Sequence, residues 1–290
     1  MKKLAKATGL VLAATCVLGM ASACNTAGAD GEALALGKEM VLQNSQLDAL
    51  TQLKVGAVDA AVIDSVMAGY YSTTGDFAGK VSIVEDLVFA KESYGIAAKK
   101  GNESFMSEIN KALLALAADG TVAEVAQEFG LENDVALQAD GVNVYADATD
   151  NSWVEIQEEK KIVIGYTVFA PIAYEENGTF TGFDIELAKE VVEYLNQTYT
   201  LTLEVEFLEI DWNAKEALLQ DNTIDLVWNG MTITPEREEK MCISLPYLYN
   251  KQVAVVLTED KDKYTTKESF KDAIIAVESG SAGESVVSGK

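Results

Sequence analysis

Strand-like apolar runs and amphipathic helical stretches take turns along almost the whole chain, and this alternation is what most constrains its fold. Runs at 39–43, 59–63, 80–84, 94–98, 161–165, 201–208, 224–228, 252–257 and 273–277 read as strands. Stretches at 45–54, 103–117, 122–129, 183–197, 213–220, 235–240 and 282–288 carry apolar residues at helical spacing. Interleaving of this kind predicts parallel α/β sheets with helices on both faces. Ligands of such sheets sit beyond the carboxyl ends of the strands, at a topological switch point. The polar stretch 132–151, rich in Asp, Ala and Asn, has no periodicity and reads as a linker. At roughly 100–200 residues per domain, 290 residues suggest two compact units.

The first residues follow a different logic. Met1-Lys2-Lys3-Leu4-Ala5-Lys6 is a short basic segment, and the apolar run 7–20 is too short for the ~20 residues a membrane span needs. Ala21-Ser22-Ala23 follows as an Ala-x-Ala cleavage pattern, so residues 1–23 read as a secretory signal peptide. Cys24, directly after it, and the polar spacer 24–36 resemble a bacterial lipoprotein signal, in which the cysteine is acylated. Ala21 stands where such signals usually carry leucine, and ordinary cleavage before an unmodified cysteine is the alternative. With Cys16 removed and Cys24 lipidated, only Cys242 remains, so no disulfide framework is expected.

Charge narrows the function classes. The sequence has 46 acidic and 22 basic side chains, a net charge of −24, and no histidine. Ser-His-Asp and Cys-His nucleophilic sites and histidine-ligated zinc are therefore excluded. The acidic excess argues against a nucleic-acid surface, which needs a basic stripe. The one arginine is Arg237.

That arginine sits in a telling segment. A strand ends at Trp228, Asn229-Gly230 opens the backbone, and Thr234-Pro235-Glu236 starts a helix with a good N-cap and proline at its first position. Arg237 thus falls in the first turn of a helix near a strand's carboxyl end. A guanidinium there can grip a carboxylate with two hydrogen bonds. A surface arginine neutralised by Glu236, Glu238 and Glu239 explains the same residues. A second helix start, Ser281-Ala282-Gly283-Glu284, reads as a capping box whose N–H groups could also face an anion. Asp64 ends another strand and could accept an ammonium or be solvated. Phe169 and Trp212 follow strands and could sandwich a ligand or belong to a core. A carboxylate receptor, an ammonium receptor and two flat apolar walls at strand ends are what a free α-amino acid needs.

At these residues the chain resembles the polar amino-acid solute-binding proteins of bacterial ABC importers, with their periplasmic-binding-protein type II fold. Residues 161–184 (KIVIGYTVFAPIAYEENGTFTGFD) look like that family's opening strand and first loop, and 225–247, with its GMTIT-P-E-R core, like its most specific motif. Residues 276–284 and 58–64 resemble the anion-binding turn and ammonium-binding aspartate of the second lobe, and 92–131 the return into the first. The resemblance implies that Arg237 grips the ligand carboxylate with help from Thr232, Ser281 and the Ala282 N–H. It implies that Asp64 and the Gly230 carbonyl hold the ammonium, that Phe169 and Trp212 clamp the side chain, that Asn229 lies beside them, and that Trp228 shapes the pocket floor. Glu278 and Tyr166 stand where some glutamine binders of the family carry lysine and aspartate.

The segment order departs from the family. Residues 37–91 and 253–290 resemble one lobe and 92–131 and 152–252 the other, joined by the linker 132–151, so the chain looks circularly permuted within the second lobe. A rearranged or truncated gene that folds without useful transport is another explanation of that order. The expectation is a two-lobed α/β binding lipoprotein, monomeric, anchored outside the membrane. It would close about two strands near 248–256 and 89–96 and dock on an ABC permease, with no cofactor and no metal. The rival is a dehydratase-like enzyme on the same fold, whose acid or base would be Asp64, Glu278 or Tyr166. A sensory module is a further rival, against which stands the lack of an apolar span after residue 24.

Overall fold

A computed structural model describes residues 34–290. The signal peptide 1–23, the candidate acylated Cys24 and most of the spacer lie outside the described residues. The chain starts in one lobe with β1 (Glu39–Gln43), α1 (Gln46–Lys54), β2 (Ala60–Asp64), α2 (Ser65–Thr73) and the long β3 (Val81–Tyr94). It crosses into the other with β4 (Ala97–Lys99), α3 (Glu103–Asp119), α4 (Thr121–Glu128), α5 (Ser152–Glu159) and β5 (Lys161–Tyr166). There follow the hairpin β6 (Tyr174–Glu176) and β7 (Thr179–Thr181), α6 (Phe183–Tyr199), β8 (Glu204–Glu209), α7 (Lys215–Gln220), β9 (Leu226–Val227), α8 (Pro235–Lys240) and β10 (Met241–Ile243). It then returns with β11 (Leu248–Leu257), β12 (Ile274–Glu278) and α9 (Ala282–Ser288).

Two five-stranded sheets result, ordered β1-β12-β2-β11-β3 and β10-β4-β9-β5-β8. The first carries what we call the second lobe and the second sheet carries the first lobe. β1, β12 and β2 run parallel, as do β9, β5 and β8. Antiparallel strands complete each parallel core. β11 lies antiparallel to both β2 and β3, and β4 antiparallel to both β9 and β10. The reason is traffic between lobes: β3 runs out of the second lobe and β11 runs back in, so the two must oppose each other. β4 and β10 are the arriving and departing strands on the other side.

Each sheet buries apolar residues on both faces. One cluster lies between the helices and the sheets, and includes Leu50, Ile63 and Met67 in the second lobe and Ile162, Ile164 and Leu187 in the first. Smaller clusters close the opposite faces, around Ile275, Val277 and Phe270 in one lobe and Val227, Leu219 and Met231 in the other. The start and end of the described chain meet in the second lobe, where the Ala35 and Leu36 N–H groups both donate to the Val287 carbonyl at 3.0 and 3.2 Å.

The stretch 132–151 holds no regular helix or strand, yet it is packed rather than loose. Ala136 donates from its backbone to Tyr247, Asn143 from its side-chain amide to the Ser107 carbonyl, and Asp150 accepts from the Ser104 backbone and hydroxyl. It therefore runs as a strap along α3 and the crossing strands. The polypeptide passes between lobes twice among the described residues, at 95–96 and at 244–247. β11 belongs wholly to the second-lobe sheet from Leu248.

Candidate functional site

The site lies where the carboxyl ends of β2, β12, β5 and β9 face one another across the two lobes. Its lining is Gln46, Asp64, Thr167, Phe169, Trp212, Asn229, Gly230, Thr232, Arg237, Glu278, Ser281 and Ala282, drawn together around a free volume of about 10 Å³. Nine of the ten binding residues expected from the sequence are in that set. The tenth, Trp228, is not: its side chain is fully buried one layer below, with its ring tilted against Tyr247 at 6.4 Å. It belongs to the core because it points to the opposite side of the β9 end from Asn229.

Local chemistry explains the first-lobe wall. Gly230 has φ +60, the left-handed region, and a Cβ there would lie 2.7 Å from the Phe169 ring. Glycine thus lets the chain turn after β9 while staying against the aromatic wall. Its N–H donates to Asp184 Oδ2 at 2.8 Å, and the Tyr247 hydroxyl donates to the same oxygen at 2.7 Å. Asn229 Oδ1 accepts from the Thr167 N–H at 2.7 Å and so ties the β9 end to the β5 end. Thr234 caps α8 by accepting from the Arg237 N–H at 3.2 Å, with Pro235 at the first helical position.

That cap aims Arg237 into the cleft, where only 9% of it is exposed. Its Nη1 donates to the Thr232 carbonyl at 2.7 Å, and its Nη2 reaches the other lobe to donate to the Gly280 carbonyl at 3.1 Å. It has no carboxylate ion-pair partner among the described residues. Burial pushes the guanidinium below its usual value, opposed by the more distant Glu92 and Asp64. The surface-arginine alternative, neutralisation by Glu236, Glu238 and Glu239, does not hold, because Glu236 pairs with Lys240 instead.

The second-lobe wall carries the opposite charge. Asp64, 5% exposed at the end of β2, accepts from the side-chain amides of Gln46 and Asn250, and from Gln252 at 2.8 Å. No cation pairs with it among the described residues. Burial, and then the neighbouring Glu92, raise its pKa to about 7, while the amide donors oppose the rise. Glu278, 3% exposed at the end of β12, is raised to about 8, first by burial and then by Asp64. Its Oε1 has no hydrogen-bond partner.

The hydrogen bonds add detail at the expected residues. The Thr232 hydroxyl donates to Glu92 Oε2 at 3.0 Å, because β3 brings that carboxylate beside it. The Ser281 hydroxyl accepts from the Glu284 N–H at 3.2 Å as the N-cap of α9. The return bond of Glu284 goes to the Gly280 N–H at 2.6 Å, one residue before the capping-box position, so an anion already occupies that turn. Tyr166 does not line the cleft; its ring packs on Phe180 at 4.6 Å.

Several lining or supporting residues escaped the sequence reading. Gln46 opens α1 directly after the β1 end and could have been found by the same strand-end logic that picked out Asp64. Asn250 and Gln252 alternate along β11, so both fall on one side of the strand, and polar residues at that period in an apolar run were the available signal. Lys215, 4% exposed, donates to the Trp212 carbonyl at 3.1 Å and the Gly280 carbonyl at 3.2 Å, and lies 4.8 Å from the Trp212 ring centre. Burial, and then Arg237, lower it to about 8. The Gly280 carbonyl thus receives two first-lobe cations, which holds the lobes closed.

Residues 162–280 match the family model of bacterial extracellular solute-binding proteins, family 3. A probable ABC transporter extracellular-binding protein of Bacillus subtilis is 28% identical over 43% of this chain and 44% of its own length. The arginine-binding extracellular protein ArtP of the same organism is 31% identical over 43% of this chain and 47% of its own. The chain thus spans about half the length of the curated relatives it matches. The solved structure of a polar amino acid ABC uptake transporter substrate binding protein from Streptococcus thermophilus is 40% identical over 33% of this chain and 35% of that one, with a TM-score of 0.27.

Proposed function

We propose that this chain captures a free polar α-amino acid between its lobes, outside the cytoplasmic membrane, for delivery to an ABC importer. One observation carries the reading. A buried guanidinium without a carboxylate and a buried carboxylate without a cation line the same small space from opposite lobes. An isolated buried charge is costly, and a zwitterion supplies both missing partners at once. The α-carboxylate would join Arg237 and the α-ammonium Asp64, with Phe169 and Trp212 against the side chain. Asn229, Gly230, Thr232, Ser281 and Ala282 complete the walls, and Trp228 supports them from below. The names of the curated relatives, which include arginine- and cystine-binding proteins, support the ligand class.

A thermal-shift screen of the full chain against the twenty amino acids tests this. At least one polar amino acid should raise the melting midpoint, and the shift should vanish in Arg237→Ala and in Arg237→Lys. No shift with any of the twenty sinks the reading. Acylation at Cys24 belongs to the same proposal and would appear as incorporated labelled palmitate, lost in Cys24→Ser. The protein would act as a monomer, and the circularly permuted order would leave the transport step unchanged.

A second reading has its own observation. Carboxyls held near neutrality, such as Asp64 and Glu278, also suit general acid–base chemistry on a cyclic acid. Turnover of a prephenate-like substrate would favour this dehydratase-like reading over simple capture, with no cofactor needed in either case. No helix among the described residues is long and apolar enough to cross a membrane, so capture outside the cell would need the anchor or the permease.

A further inference from the structure

Once Arg237 and Asp64 are assigned to the ligand's carboxylate and ammonium, the site still holds groups without a task. Glu278 is the clearest. It lines the cleft at the β12 end, is 3% exposed, and has an Oε1 with no hydrogen-bond partner. An acceptor left bare at that depth is unusual, because native structures pair almost all such atoms.

The charges around it do not balance. Asp64, Glu92 and Glu278 stand on the second-lobe side against Arg237 and Lys215, while Glu216 and Glu236, which also act on Arg237, pair with Lys240. Lys215 forms no ion pair with Glu278, because its ammonium is spent on two carbonyls and the Trp212 face. Gln46 hydrogen-bonds the Glu278 carboxylate while also giving its amide nitrogen to Asp64 and its oxygen to the Asp64 N–H, which still leaves Oε1 bare. A zwitterionic backbone adds no net charge, so the occupied cleft would keep one uncompensated carboxylate. A ligand side chain that ends in a positively charged donor removes both faults, satisfying the bare oxygen and cancelling the charge. A neutral amide would satisfy the oxygen and leave the charge. A carboxylate would worsen both.

We infer that Glu278 is the specificity-determining residue of this cleft and that the preferred ligand is an amino acid with a cationic side chain. The inference rests on the amino-acid reading above. The raised pKa of Glu278 fits it, since a proton there substitutes for the cation that the site lacks.

Calorimetric titration of the full chain with L-arginine, L-lysine, L-glutamine and L-glutamate tests it, in the parent protein and in Glu278→Gln. The parent should bind arginine or lysine at least ~10-fold tighter than glutamine, and glutamate weakest, because a charge-assisted bond exceeds a neutral one. In Glu278→Gln the cation should lose about 10-fold or more while glutamine changes by less than ~3-fold. Glutamine or glutamate binding the parent as tightly as the better cation would overturn the inference, and so would an unchanged ranking in the variant. Those results leave the amino-acid reading standing. Failure of the parent to bind any of the twenty amino acids removes the reading itself. The parent ranking needs no variant, so a poorly folding Glu278→Gln does not shelter the inference.

Discussion

The two walls of the cleft solve opposite electrostatic problems with different materials. The cation of the first-lobe wall is held by main chain: the Thr232 carbonyl of its own lobe and the Gly280 carbonyl of the other receive Arg237, and a glycine turn fixed by Asp184 and Tyr247 sets the floor beside it. The second-lobe wall holds its anion with side chains, a set of three amides from α1 and β11 around Asp64. Carbonyl dipoles built into loops cannot rotate away, whereas amides on long side chains can. The cationic wall is thus the rigid half and the anionic wall the adaptable one.

The largest expected effect strikes both walls at once. Arg237→Ala and Asp64→Asn should each weaken amino-acid binding by ~2–5 kcal/mol, roughly 30-fold to several thousand-fold, measured by calorimetry. A loss confined to one of them would mean that the ligand is a simple ion and not a zwitterion. Next comes the scaffold of the rigid wall. Asp184→Ala leaves the buried Tyr247 hydroxyl without its acceptor and the Gly230 N–H with only the Tyr247 oxygen, and should cost ~1–3 kcal/mol in chemical denaturation. Gly230→Ala should cost a similar amount, through the clash with Phe169 and an unfavourable φ. Equivalent damage from Gln46→Ala would erase the contrast between the walls.

The pH dependence comes third. A carboxyl whose folded pKa is raised holds extra protons when folded, so the fold loses stability as pH rises from its unfolded to its folded value. For Asp64 and Glu278 that window runs from about 4 to about 7 and 8, at up to ~1.4 kcal/mol per pH unit for each group. The unliganded protein should therefore melt higher at pH 5 than at pH 7. Ligand cations favour the ionised carboxylates, so affinity should climb between pH 6 and 8 and binding should release protons, read from buffers of different ionisation enthalpy. Pale by comparison, Thr234→Ala removes the α8 cap and should lower stability by about 1 kcal/mol, or ~2–4 °C in midpoint, with a minor change in affinity.

Much of this was legible in the residues, for identifiable reasons. α8 and α9 begin and end where their caps and proline say, because those signals act within one turn. Arg237, Asp64 and Phe169 come together in the cleft lining because the carboxyl ends of the strands face one another in this fold. The failures come from tertiary context. Residues 85–88 (EDLV) mix polar and apolar side chains, and they extend as strand because β11 of the same sheet supplies a partner ladder. α2, with glycine, two tyrosines and a valine in nine residues, has weak intrinsic propensity and is helical because Val66, Met67 and Ala68 bury against the sheet. Nothing local announces that Glu92, 140 residues earlier, sits beside the Thr232 hydroxyl.

The pairing of β3 with β11 gives the molecule a mechanical linkage. Glu92 and Asn250 face each other in that ladder, two rungs from Tyr94 and Leu248, where the chain leaves for the other lobe. The same Glu92 carboxylate accepts from Thr232 across the cleft, and the same Asn250 amide supports Asp64. Fulcrum and receptor therefore share parts. The Asn250 and Gln252 amides are already shared between Asp64 and the same Glu92 oxygen, so prising the lobes apart and pulling Thr232 off Glu92 shifts that sharing, and the support of Asp64 changes with the opening angle. The cleft works less like a box with a lid than like pliers whose jaw faces are cut from the pivot.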